Sequence, residues 1–97
     1  MARLIYTGQS LDDLERMWAF LQGAAPEHAN AAMGHILQAL ELLESHPLLG
    51  RRVSDGLREL VISRGATGHI ALYDFDAARG IVHVLRLRHP REAGYLD

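Results

Sequence analysis

The chain has no cysteine and no lysine. The first absence excludes a disulfide framework, a thiolate metal site and a cysteine nucleophile. The second makes every fixed cation a guanidinium, a planar fork suited to bidentate contact with carboxylate or phosphate. No apolar run approaches the roughly 20 residues of a membrane-spanning helix. The N-terminus shows no basic stretch followed by an apolar one, so no secretory leader is expected. No G-x-S-x-G elbow, Walker-type loop or dinucleotide fingerprint occurs. Gly65-Ala66-Thr67-Gly68 lies between two strand-like runs and is expected to be a turn. These absences point to a cytoplasmic protein with no membrane association and no cofactor.

What is present is an ordinary globular balance over 97 residues, 48% apolar and 23% charged, enough for one domain spanning 1–97. The charge is unevenly placed. Residues 1–50 carry two arginines against six acids, and residues 51–97 carry eight arginines against six acids. The net charge is −2, unlike the strongly basic balance of a typical nucleic-acid binder.

Along the chain, Arg3-Leu4-Ile5-Tyr6 has strand character, and Ser10 is a good helix cap with Asp12 and Asp13 behind it. Leu11, Leu14, Trp18 and Leu21 recur at helical spacing, with Asp12, Asp13, Glu15 and Arg16 turned away and Gly23 as the stop. Met17 and Phe20 flank that stripe and are expected to stay partly open. Pro26 starts a second helix with a stripe of Ala29, Ala32, Met33, Ile36, Leu40 and Leu43, ending before His46-Pro47. Pro47 to Gly56 is expected to be a loop. Three strands follow, at Leu57–Ser63, His69–Phe75 and from Ile81, joined by glycine-containing turns of about five residues that make antiparallel hairpins. The expected fold is α+β in the order β-α-α-β-β-β, a helical hairpin packed on a mostly antiparallel four-stranded sheet.

The six histidines, at 28, 35, 46, 69, 83 and 89, form no i,i+4 pair and no acid-histidine helical motif, so no metal site is expected. Chemistry gathers instead at Ile81 to Tyr95. An apolar strand start gives way to Arg86, Arg88, His89, Arg91, Glu92 and Tyr95. A period of two puts Arg86 and Arg88 on one face and Leu87 and His89 on the other. Arg58 joins the cluster if its strand lies close by. Metal-free RNA cleavage needs such a set, with His89 or Tyr95 as acid or base and arginines around the phosphate. The same set equally suits docking on an acidic protein surface.

The element order, the run Leu57-Arg58-Glu59-Leu60-Val61-Ile62, the segment Gly68-His69-Ile70-Ala71-Leu72-Tyr73 and above all Arg86-Leu87-Arg88-His89-Pro90-Arg91-Glu92-Ala93-Gly94-Tyr95 resemble the RelE/ParE superfamily of type II toxins. The resemblance implies a toxin held inactive by a cognate antitoxin that wraps it with a helix and an extended arm. RelE-like members cut mRNA on the ribosome, whereas ParE-like members poison DNA gyrase without being nucleases. Ribonuclease members tend to be strongly basic and often carry a basic residue where this chain has Ile70, while the His-x-Arg-Glu ending is closer to ParE. The resemblance therefore implies a ParE-like toxin acting by binding, with Arg86, Arg88, His89, Arg91 and Tyr95 against the target. Met17, Phe20, Arg58 and Arg88 are then expected to meet the antitoxin. The alternatives are an endoribonuclease acting on ribosome and mRNA through Arg58, Arg86, Arg88, His89 and Tyr95, and an inactive relic that only binds its antitoxin.

Overall fold

Thr7, rather than Ser10, opens the first helix. In a computed structural model, which describes residues 1–63 and 68–89, strand β1 (Arg3–Tyr6) runs almost directly into helix α1 (Gly8–Ala24). Thr7 is extended, and its hydroxyl oxygen accepts the Ser10 N–H at 3.2 Å. Ser10 lies buried inside the first turn and donates its own hydroxyl to the Thr7 carbonyl at 2.8 Å. Both residue types cap well. The earlier one prevails because pairing with the last strand ends at Tyr6, and the Thr7 N–H makes a final bond to the Val84 carbonyl at 3.1 Å.

A 3₁₀ turn at Pro26–His28 leads into α2 (Ala29–Glu41), and a second one at Leu42–Glu44 closes it. The sheet has five strands, one more than the sequence led us to expect. The addition is β2 (Arg51–Ser54), which pairs antiparallel with β3 (Leu57–Ser63) across Asp55-Gly56. Gly56 takes φ +74°, a conformation glycine adopts without a Cβ clash. All of β2 is exposed, so Arg-Arg-Val-Ser shows no alternation that would betray a strand. With β4 (His69–Asp76) and β5 (Ile81–Arg88) the order is β1-β5-β4-β3-β2. β1 runs parallel to β5 and every other pairing is antiparallel. The helical hairpin between β1 and β2 provides the crossover, which keeps the fold in the α+β class.

Both helices cover one face of the sheet. Met17, Ile36, Leu40 and Leu43 meet Leu60, Ala71, Tyr73, Val82, Val84 and Leu87 in a single buried cluster. The stripe of α2 follows the expected positions. That of α1 does so only in part: Leu21 is buried and Leu14 packs against the core as expected, but Ser10, Asp13 and Met17 are buried too, whereas Leu11 is 51% exposed and Trp18 is half-buried. Met17, expected at the surface for an antitoxin, is part of the core. No helix among the described residues is long and apolar enough to cross a membrane.

Tyr73 fixes the loop before β2. Its hydroxyl donates to the Pro47 carbonyl and accepts the Gly50 N–H, both at 2.8 Å. Burial raises the Tyr73 pKa above the ordinary phenol value, against the opposing effect of the Gly50 hydrogen bond and the Arg58 charge, so the phenol remains a donor. Gly50 is required by space, since a Cβ there would lie 2.7 Å from both the Glu59 carbonyl oxygen and Tyr73 Cε1. Tyr73→Phe should strand the Gly50 N–H at a cost of about 1–3 kcal/mol. Urea unfolding should show a lower midpoint with an unchanged slope.

Candidate functional site

The site is built where β1 stops and β5 continues. β1 pairs with Ile81–Val84 only, leaving the outer edge of Leu85–Arg88 to be satisfied by α1. The Thr7 hydroxyl donates to the Leu85 carbonyl at 2.9 Å, and Asp13 Oδ2 accepts the Leu87 N–H at 2.9 Å. Arg86 closes on the same carboxylate, Nε to Oδ2 at 2.8 Å and Nη2 to Oδ1 at 3.2 Å, while Arg16 Nη1 reaches Oδ1 at 2.9 Å. Asp13, expected on the solvent side of α1, is 2% exposed, and the Arg86 side chain is 13% exposed. Burial by itself would raise the Asp13 pKa. The bonds from Arg86, the Leu87 N–H and Arg16 outweigh it and hold the carboxyl below its ordinary range.

A register shift between Leu72 and Tyr73 of β4 allows this arrangement. Tyr73 faces Val84 but Leu72 faces Arg86, so Leu85 is an extra residue in β5. Val82 and Val84 point into the core, and strict alternation would send Arg86 and Arg88 in after them. The bulge reverses the phase, putting Leu87 in the core and both arginines on the face away from the helices.

On that face Arg51, Glu59, Leu72 and Arg86 stand in one cross-strand row. Glu59 is buried between two guanidiniums, with Arg51 Nη2 at 3.2 Å from Oε1 and Arg88 Nη2 at 3.9 Å from Oε2. His83 Nδ1 meets Asp74 Oδ1 at 2.8 Å across the β4–β5 pairing. His89 follows the end of β5 with its ring edge-on to His69, centroids 6.0 Å apart. On that face Glu59 thus lies against Arg51 and Arg88, and Asp74 is hydrogen-bonded to His83.

Arg58 does not join this group. It shares the Tyr73 side of the sheet, where Nη1 donates to the Gly50 carbonyl at 2.8 Å and the Leu48 carbonyl at 3.3 Å. Arg91 and Tyr95 lie outside the described residues. Among the described residues no group of three histidine, cysteine or acidic side chains is placed to hold a metal ion.

A family model described as the ParE toxin of the type II toxin-antitoxin system parDE matches residues 4–94. The chain belongs to this toxin family. It is 39% identical over 82 residues to Toxin RelE3 of Caulobacter vibrioides, covering 82% of this chain and 85% of that one. A chromosomal ParDE toxin-antitoxin system from P. aeruginosa superposes with a TM-score of 0.76 at 22% identity, over 92% of this chain and 96% of that one. The toxin-antitoxin complex RelBE2 from Mycobacterium tuberculosis gives 0.63 at 20% identity, over 91% and 96%. At such identities the two solved structures establish likeness of fold.

In this ParE-family toxin, sequence reading found the arginines at the end of β5 but missed the acids that hold them. Asp13 was findable as the head of a stripe with Met17 and Leu21, four and eight residues on. Glu59 carried no signal beyond its place in a strand. Phe20 is 68% exposed near the end of α1, whereas Met17 is buried.

Proposed function

We propose that this toxin acts by binding DNA gyrase, in the ParE manner, and that a cognate antitoxin silences it. The observation that carries the reading is the engagement of Arg86 and Arg58 within the fold. Cleaving RNA without a metal requires cations free to gather around the phosphate as its charge grows. Arg86 would have to leave Asp13, stranding a buried carboxylate. Arg58 is on the opposite face of the sheet, held by two backbone carbonyls. Binding needs no proton transfer and no free clamp. It would rest on Arg88, His89, Arg91 and Tyr95, with Arg86 assigned to structure. The solved relatives that are toxin-antitoxin assemblies support an antitoxin partner. The relative named Toxin RelE3 favours a second reading, a ribosome-dependent mRNA endoribonuclease.

The purified toxin should inhibit gyrase supercoiling, accumulate cleaved DNA complexes and leave mRNA on programmed ribosomes intact. Losing a general acid or base costs a ribonuclease about 10²–10⁴ in rate, so His89→Ala and Tyr95→Phe separate the readings. Tyr95→Phe, which keeps the ring, should be nearly silent against gyrase, while replacing Arg88 and Arg91 together weakens inhibition. Ribosome-dependent cleavage that disappears in His89→Ala or Tyr95→Phe would establish the endoribonuclease instead.

A further inference from the structure

Glu59 has no part in the reading above, yet it is a carboxylate only 8% exposed on the face of the sheet away from the helices. Burying a charge there is costly unless cations compensate it. Arg51 does so from next door: it stands opposite Glu59 in the β2–β3 register and donates to Oε1 at 3.2 Å, with its side chain 70% exposed. Arg88 comes from further away. It pairs with Ile70 of β4, whose partner on β3 is Val61, whereas Glu59 pairs with Leu72. Neighbouring strands lie about 4.8 Å apart, so two strand spacings and a two-residue offset separate the Arg88 and Glu59 backbones. The side chain nevertheless crosses β4 to bring Nη2 within 3.9 Å of Oε2. An arginine at the end of a strand can extend into water. This one is laid along the sheet, 17% exposed.

We propose that Glu59 is a positioning residue for Arg88: its buried carboxylate holds the guanidinium on the sheet in the orientation in which the target meets it. That role rests on the reading above, in which Arg88 contacts the target, and adds the residue that acts through it. An arginine side chain has much rotamer freedom to lose on binding, and one already held gives up less. At 3.9 Å the pair is longer than a charge-assisted hydrogen bond of about 2.7–2.9 Å, so the guanidinium is steered rather than locked. Arg51 supplies compensation from the other side, so Glu59 keeps a counter-ion while Arg88 engages the target.

Glu59→Gln keeps the shape of the side chain and removes its charge. With folding checked by circular dichroism, it should raise the concentration of full-length toxin that half-inhibits gyrase supercoiling by about three- to tenfold. Arg88→Met should raise it at least as far. In the Arg88→Met background Glu59→Gln should add nothing, because a positioning residue acts only through the group it positions. By nitrogen-15 NMR, the Arg88 Nε–H resonance, assigned by its loss in Arg88→Met, should move in Glu59→Gln toward that of a solvated arginine. Asp74→Asn, which alters another carboxylate of the same face, should inhibit as the parent does. If Glu59→Gln fails to fold, Glu59→Asp, which keeps the charge and draws it back by one methylene, takes its place in the same cycle. Fold-changes that multiply in the double variant, or an equal loss in Asp74→Asn, overturn the positioning role in favour of a general effect of charge on that face. A Glu59→Gln toxin as potent as the parent overturns it too, and a more potent one shows that Glu59 withholds Arg88. A parent that leaves gyrase untouched refutes the gyrase reading by itself, and the same cycle scored by growth inhibition then decides the role of Glu59. Absence of growth inhibition as well overturns both.

Discussion

Leu40→Asp should leave no folded toxin at 37 °C. Leu40 is fully buried on α2, in the cluster that joins both helices to β3, β4 and β5. Truncating a leucine in such a place costs about 2–5 kcal/mol through lost transfer energy and the cavity left behind. A carboxylate at the same position adds several kcal/mol, because no described cation in the cluster can pair with it. The sum is on the order of the entire stability of a small domain, about 5–15 kcal/mol. Leu40→Met, which conserves volume and polarity, should cost less than about 1.5 kcal/mol. A Leu40→Asp protein with the parent's thermal midpoint would mean that α2 turns a different face to the sheet.

That face was legible because every buried residue on it is apolar. Ile36, Leu40 and Leu43 recur at spacings of four and three, and the structure buries all of them. The stripe of α1 was equally periodic but began with Ser10 and Asp13, two residues that ordinarily signal a solvated first turn. Their partners are distant: the Asp13 carboxylate meets Arg86, 73 residues further on, and no local pattern announces that meeting. The apolar Leu11 and Trp18 offered a false stripe beside the real one. β2 escaped notice for a related reason, since a strand exposed along its whole length has nothing to alternate, and only Asp55-Gly56 marked its turn. The shared face of Arg86 and Arg88 did follow from a period of two. The extra residue at Leu85, which keeps both arginines out of the core, did not.

Asp13→Ala should destabilise the toxin by about 3–5 kcal/mol, the cost of leaving a buried guanidinium without its carboxylate. At about 4–8 °C per kcal/mol for a domain of this size, the thermal midpoint should fall by tens of degrees. Arg86→Met combined with Asp13→Leu should recover much of that loss, because it removes both charges, although the Leu87 N–H still lacks its acceptor. The carboxyl's folded pKa lies below its unfolded value of about 3.9, so its contribution is complete above that value and is lost as the pH falls through the folded pKa. Below about pH 4 the double variant should therefore lose stability less steeply with acid than the parent. The same protein decides what Arg86 is for. If the guanidinium serves the fold, the refolded double variant inhibits gyrase as the parent does. If instead it contacts the target, the variant folds, still binds antitoxin and no longer inhibits, and Arg86 returns to the binding surface beside Arg88.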